Sequence, residues 1–214
     1  MRNNLTPHHG EIIWPVANGQ LRIRCGCTPA EIRGYIFDKQ FGSYAHFRSL
    51  YTKRETLEEI AAHEDADVTV ALTEADSIVG FGVLDYPASH ERWAQLGEKR
   101  MMEVKAIEVC RDWRAARVAD GILGMLLQHP RLEEMVVYMV GYSWTWDLDG
   151  TGLSAQKYRN ILLHLFARHG FVEMQTNEPN ICLKPENIFM ARIGRSVSEK
   201  MLKKFKWLRF GLDP

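Results

Sequence analysis

Glu103-Val-Lys-Ala-Ile-Glu-Val-Cys-Arg-Asp-Trp-Arg-Ala-Ala-Arg-Val-Ala-Asp-Gly-Ile-Leu123 holds the plainest statement of how this chain folds. A strand candidate over Met102–Val109 gives way to a short polar loop, and a helix begins near Val118. Such a junction turns several unpaired backbone N–H groups and the positive end of a helix into one small volume. A pyrophosphate is the kind of anion that volume suits. Ala115, Ala116 and Ala119 are small enough to let oxygens reach the backbone, and Arg111, Arg114 and Arg117 add positive charge. Many strand–loop–helix connections carry an arginine and bind nothing, so the loop alone leaves both readings open.

Outward from this junction the chain alternates strands and helices. Leu21–Cys25 alternates as a strand does, and Thr28-Pro29 supplies an N-cap and an N1 proline to the helix that follows. Residues 53–63 form an amphipathic helix pattern. Val68–Leu72 and Ile78–Asp85 are two β-rich runs that make a plausible hairpin. Met135–Tyr142 is a continuous apolar run, as expected of a strand buried on both faces. Ser154–Arg168 is a long helix stopped at Gly170. Phe171–Met174 and Asn187–Ile193 supply late strands, and 197–206 a last helix. The alternation predicts one α/β domain with a mixed sheet over residues 21–214, with residues 1–20 peripheral.

Bulk composition excludes several classes. With 214 residues, 46% hydrophobic and 25% charged, the chain has the make-up of an ordinary globular domain. No apolar run approaches the roughly 18 residues needed to span a membrane, and the N-terminus has no secretion-signal pattern. A cytoplasmic location is the expectation. The 27 basic residues are balanced by 27 acidic ones, which argues against nucleic acid as a partner. The basic tail from Lys200 to Arg209 reads as a solvated helix face, with a docking patch as the alternative. Cys25, Cys27, Cys110 and Cys182 fit no zinc spacing, and His8–His9 reads as terminus, so no metal is expected.

Arg114-Ala-Ala-Arg-Val-Ala119 resembles the acyl-CoA motif Q/R-x-x-G-x-G/A of GCN5-related N-acetyltransferases (GNAT), with Arg117 where that family has glycine. More specifically, Glu91-Arg-Trp93, Glu103–Val109, Trp144-Thr-Trp-Asp-Leu-Asp-Gly-Thr-Gly-Leu153, Tyr158-Arg159, Met190-Ala-Arg-Ile-Gly194 and Leu208-Arg-Phe210 resemble the acetoin utilization acetyltransferase (AcuA) family, from about residue 65 onward. The resemblance implies a mixed, mostly antiparallel sheet flanked by helices and splayed between its fourth and fifth strands. It implies acetyl-CoA as cosubstrate, held by Arg114, Ala115, Ala116, Arg117, Val118, Ala119 and Asp120. Backbone groups at Ile107 and Val109 would hold the pantetheine and polarise the thioester. The implied acceptor is a lysine of AMP-forming acetyl-CoA synthetase, which acetylation switches off.

A protonated lysine cannot attack a thioester, and removing its proton at neutral pH costs about 4 to 5 kcal/mol. A positioned base lowers that obstacle. The candidate strand carries two carboxylates, Glu103 and Glu108, five apart and so expected on opposite faces. Glu103 stands eleven residues before Arg114, the spacing of the catalytic glutamate in histone-type members of the resembled family, and is the expected base. Glu108 is the reserve. Phe166-Ala-Arg-His-Gly-Phe171 resembles the family's Y-x-x-x-G-F with a phenylalanine that cannot donate a proton. Tyr158, about two helical turns earlier, is the expected substitute, and an ordinary packing tyrosine is the alternative.

Three further patterns have competing explanations. Gly150-Thr-Gly-Leu-Ser-Ala155 imitates a dinucleotide fingerprint but lies too far beyond its strand. Asp147-Leu-Asp149-Gly lacks the glutamate that a calcium loop needs. Tyr142, Trp144 and Trp146 alternate, as residues on one strand face would. The rivals to a protein lysine acetyltransferase are a CoA-binding regulator that has lost its chemistry, motivated by Arg117 and Phe166, and an enzyme acting on a small amine.

Overall fold

The computed structural model describes residues 9–17, 19–43, 51 and 53–212. Its strands are β1 (Gly10–Val16), β2 (Gly19–Cys25), β3 (Ile36–Phe37), β4 (Asp67–Leu72), β5 (Ser77–Asp85), β6 (Met101–Val109), β7 (Val136–Gly141), β8 (Val172–Glu173) and β9 (Ile188–Ile193). The helices are α1 (Pro29–Gly34), α2 (Gln40–Ser43), α3 (Arg54–Ala61), α4 (Val118–Leu126), α5 (Leu148–Thr151), α6 (Ala155–Ala167), α7 (Pro179–Cys182) and α8 (Glu199–Leu208). All nine strands join one sheet in the order β1-β2-β4-β5-β6-β7-β9-β8, with β3 alongside β5. Along that path neighbours run antiparallel except β6 and β7.

The one parallel step needs a crossover, and α4 supplies it. Ile122 fixes its distance from the sheet. A Cβ on Gly80 would stand 2.9 Å from Ile122 Cδ1, and one on Gly82 only 2.6 Å from Ile122 Cγ2. Those two glycines therefore let the helix settle onto β5. On β7 the alternation of the pleat is explicit. Val137 and Met139 pack with Leu123 and Leu126 of α4 and with Leu165 and Phe166 of α6. Val136 and Tyr138 pack on the other face with Trp93, Phe205 and Leu208. This is why β7 reads as a continuous apolar run.

Local signals account for the helix starts. Thr28 caps α1 in a reciprocal capping box with Glu31, and Ser154 and Ser198 cap α6 and α8. Gly170 follows α6 with φ of 82°. The segment read as peripheral contributes β1, paired with β2 from Gly10 to Val16. Residues 1–8 lie outside the described residues, and His8 with them. No helix among the described residues is long and apolar enough to cross a membrane.

A Gly82→Val substitution would force branched methyls into Ile122 and lift α4. It is expected to cost about 1–3 kcal/mol, the usual range for overpacking. A lowered urea midpoint with an unchanged m-value would register that cost.

Candidate active site

The strand–loop–helix junction between Val109 and Val118 folds into a nest of donors. Ala115 and Arg117 both have positive φ, 71° and 56°, and Arg117 is the N-cap of α4. Alternating backbone handedness of this kind curls successive N–H groups toward one point. Among the described residues, the N–H groups of 115–119 make no backbone hydrogen bond. Asp120 differs, because its N–H is bonded to Arg117 O and its carboxylate pairs with Arg117, Arg168 and His169. The positive φ also explains why glycine suits the position of Arg117 in the resembled motif. Trp14 of β1 donates its indole N–H to Ala116 O at 3.0 Å and pins the loop from outside. A hollow of about 720 Å³ lies between Pro15–Ala17 and Asp112–Arg117.

Strands β6 and β7 pair only from Met101 to Glu103 and from Val136 to Tyr138, then part. A cleft of about 100 Å³ occupies the wedge, between Val104–Glu108 and Met139–Gly141, with Trp146, Tyr158 and Phe166 over it. Part of the cause is a β-bulge. While β5 advances one residue from Leu84 to Val83, β6 advances two from Val104 to Ala106, leaving Lys105 as the extra residue. The bulge overturns the expectation that Glu103 and Glu108 face opposite ways. They pair with Asp85 and Phe81, four apart on the regular strand, so both glutamates share one face.

Glu103 sits where the strands begin to part. Burial pushes its carboxyl upward, Lys105 and a hydrogen bond from Tyr138 oppose that, Glu91 and Asp85 add to it, and the result is about 7. The Tyr138 hydroxyl also donates to Glu91 Oε2 at 3.4 Å. Tyr51 and Tyr142 stand in the field of the same carboxylates, burial raising both phenols first and Glu103 and Glu91 adding to it. The surroundings of Glu103 are thus acidic and tyrosine-rich, a setting that favours a cationic amine.

Tyr158 lines the wedge, in the field of Glu108. Its ring stacks on Trp146 at 5.2 Å. Burial and the Glu108 charge hold its phenol protonated, at about 12. Ile107 and Phe166 line the same wedge, and Val109 ends β6. The aromatic trio does not share a strand face. β7 stops at Gly141, a 3-10 turn covers Ser143–Thr145, Trp144 is half exposed on Tyr142, and Trp146 is buried.

Residues 147–152 hold the largest surprise. Asp147, nearly fully buried, accepts from Arg111 Nε and Nη2 at 2.8 and 2.6 Å and from Arg114 Nη1 at 2.7 Å. The dinucleotide-like glycines have other duties. A Cβ on Gly150 would overlap Arg111 and Asp147, and Gly152 is the left-handed C-cap of α5.

Away from both loop and wedge, a groove of about 870 Å³ runs between Leu96–Arg100 and α8, rimmed by Arg100, Lys200, Lys203 and Lys204. Cys25, Cys27 and Cys110 are buried, and burial pushes all three thiols upward, so none is set up as a nucleophile. No group of three or more metal-ligating side chains is found among the described residues.

A carboxyl raised from 4.5 to about 7 binds a proton in the folded chain that the unfolded chain has released. Its contribution to stability is therefore complete below about pH 4.5 and is lost as pH rises toward 7. Glu103→Gln keeps the shape without the charge. Relative to wild type, it should gain at most about 3 kcal/mol on going from pH 5 to pH 8. Paired urea titrations at the two pH values measure this.

No family model matches the sequence. The acetoin utilization protein AcuA of Bacillus subtilis is 32% identical over 210 residues, covering 98% of this chain and 97% of that protein. Its namesake in Bacillus licheniformis is 30% identical with the same coverage. The crystal structure of an acetoin utilization protein from Exiguobacterium sibiricum superposes with a TM-score of 0.86 at 28% identity, over 95% of this chain and 94% of that one. The GNAT domain of S. lividans PAT, 12% identical, shares the fold with a TM-score of 0.52, over 86% of this chain and 95% of that one. Matched nearly end to end at this identity, and built on a sheet that opens beside a donor-rich loop, the chain belongs to the AcuA family of acetoin utilization proteins and has the GNAT fold.

Proposed function

We propose that this protein transfers acetyl from acetyl-CoA to a lysine of another protein, most specifically AMP-forming acetyl-CoA synthetase, and so inactivates it. The chain is an acetyl-CoA-dependent acyltransferase, and the observation that carries the lysine reading is Glu103. A carboxyl with a pKa of about 7 stands at the closed end of an open wedge, among Glu91, Asp85, Tyr51 and Tyr138. A base tuned near the working pH is both ionised and strong enough to take an ammonium proton. The surrounding negative charge favours a lysine head over a neutral acceptor.

Each part then has a role. Arg114, Ala115, Ala116, Arg117, Val118 and Ala119 hold the phosphates, chiefly through the curled N–H groups, with Asp120 serving to fix Arg117. The backbone edge at Ile107 and Val109, which β7 has left, holds the pantetheine amides as a missing strand would, with Val109 O also accepting from Arg114 Nε. Glu103 takes a proton from the lysine ammonium, and the freed nitrogen lone pair forms the bond to the thioester carbonyl carbon. The carbon–sulfur bond breaks as the tetrahedral intermediate collapses, Tyr158 gives its proton to the departing thiolate, the second proton leaving the nitrogen returns through water to Tyr158, and Glu103 releases its own to solvent. The acceptor's identity rests on the family resemblance alone.

Intact-mass spectrometry of purified acetyl-CoA synthetase, incubated with this protein and acetyl-CoA, tests the proposal. One added acetyl group is expected, and Glu103→Gln should slow its appearance about 10²- to 10⁴-fold. The kcat/KM of wild type should rise with pH through about 7 as Glu103 ionises. An unchanged mass with CoA still raising the melting temperature would point to a regulator or another amine. No shift with CoA would overturn the phosphate-loop reading itself.

A further inference from the structure

We infer that Asp147 is a positioning residue for acetyl-CoA, acting through Arg111 and Arg114 on the phosphate end of the site. The inference rests on the reading of the 114–119 loop as the phosphate site.

Asp147 lies in the connection after β7, far in sequence from the loop it grips. Its carboxylate accepts four hydrogen bonds: two from Arg111, one from Arg114, and one at 3.0 Å from Gly150 N, where it caps α5. That number fills the acceptor capacity of an ionised carboxylate. Burial alone would raise its pKa, yet the bonds from Arg111, Arg114 and Gly150 outweigh burial and hold it at about 2. Asp147 is therefore a fixed charge across any physiological pH.

The arginines are fixed in turn. Arg114 also donates from Nε to Val109 O at 3.0 Å, so its guanidinium spans from the end of β6 to Asp147. The backbone N–H of Arg111 donates to Gln40 Oε1 at 3.0 Å. Gly150 presents bare backbone to the pair, since any side chain there would overlap Arg111 Nε and Asp147 Oδ2. Two guanidiniums share this one carboxylate, so the trio itself carries one net positive charge, while Glu108 acts on the same Tyr158 phenol as Arg114 and Asp147.

Mobile arginines would surrender rotamer entropy on grasping a phosphate. Here that ordering is complete before any ligand arrives, which is what preorganisation contributes to affinity. The alternative is that Asp147 merely holds α5 and Trp146 in place. The two differ in their dependence on phosphate.

The experiment compares acetyl-CoA with S-acetylpantetheine, which keeps the thioester arm and lacks every phosphate, as donors to acetyl-CoA synthetase. With Asp147→Asn, KM for acetyl-CoA should rise about 10- to 100-fold while kcat stays within a few-fold. With S-acetylpantetheine, kcat/KM should match wild type. Equal losses with both donors would overturn the inference in favour of a purely structural role. If Asp147→Asn does not fold, Arg111→Gln, which leaves Asp147 paired with Arg114, must show the same donor-dependent split, and equal losses there overturn the inference too. Wild type that fails to prefer acetyl-CoA, or calorimetry that detects no CoA binding, would sink the phosphate-site reading and the inference with it.

Discussion

Strand β6 cannot follow two neighbours at once, and the site grows from that conflict. It stays with β5 as far as Gly80 and Val109, while β7 stays with β9 as far as Gly141 and Ile188. Between them only three residue pairs hold. The sheet is therefore continuous at one end and open at the other, which leaves the facing edges of β6 and β7 without each other as partners. In the proposed role, a ligand with its own amides would take the place of the missing partner strand. The loop before α4 lies at the open end of β6, and the segment bearing Asp147 lies at the open end of β7.

Two carboxylates show how differently one fold can treat the same group. Asp147 is surrounded by guanidinium and stays ionised far below neutrality. Glu103, partly exposed but largely desolvated, has Glu91 and Asp85 nearby and one lysine opposing, and is poised near neutrality. Burial raises both, and hydrogen bonding decides between them: the donors Arg111, Arg114 and Gly150 overcome burial at Asp147, while burial prevails at Glu103. The result is a polarised site: positive where anionic phosphates would lie, acidic where an amine would arrive.

Much of the architecture was legible because local and global preferences agree. The strand–loop–helix at 103–123, the apolar run of β7 and the capped helices all signal their structure within a few residues. β1 escaped notice because Pro15 interrupts Glu11–Val16, and proline is tolerated there only because the strand is an edge. The shared face of Glu103 and Glu108 was hidden because a bulge leaves no mark in a period-two pattern. Asp147 was visible as a residue and invisible as a function: its partners lie 33 and 36 positions away. Tyr138 was hidden for the same reason, since only the register of β7 against β6 sets it opposite Glu103, and Glu91 joins them from the turn before Arg92.

The extra residue at Lys105 has a consequence for how this strand can vary in length. A bulge absorbs one residue without turning either flank over, so a chain lacking Lys105 would keep Glu103 and Glu108 on their present face. What it would lose is the local bend and added twist that help steer β6 from its parallel neighbour. Such a deletion would spare every side chain proposed for chemistry, yet the two strands could zip further along. The opening of this sheet is thus encoded partly in residue count, and a shortened strand could silence the site with its chemical groups intact.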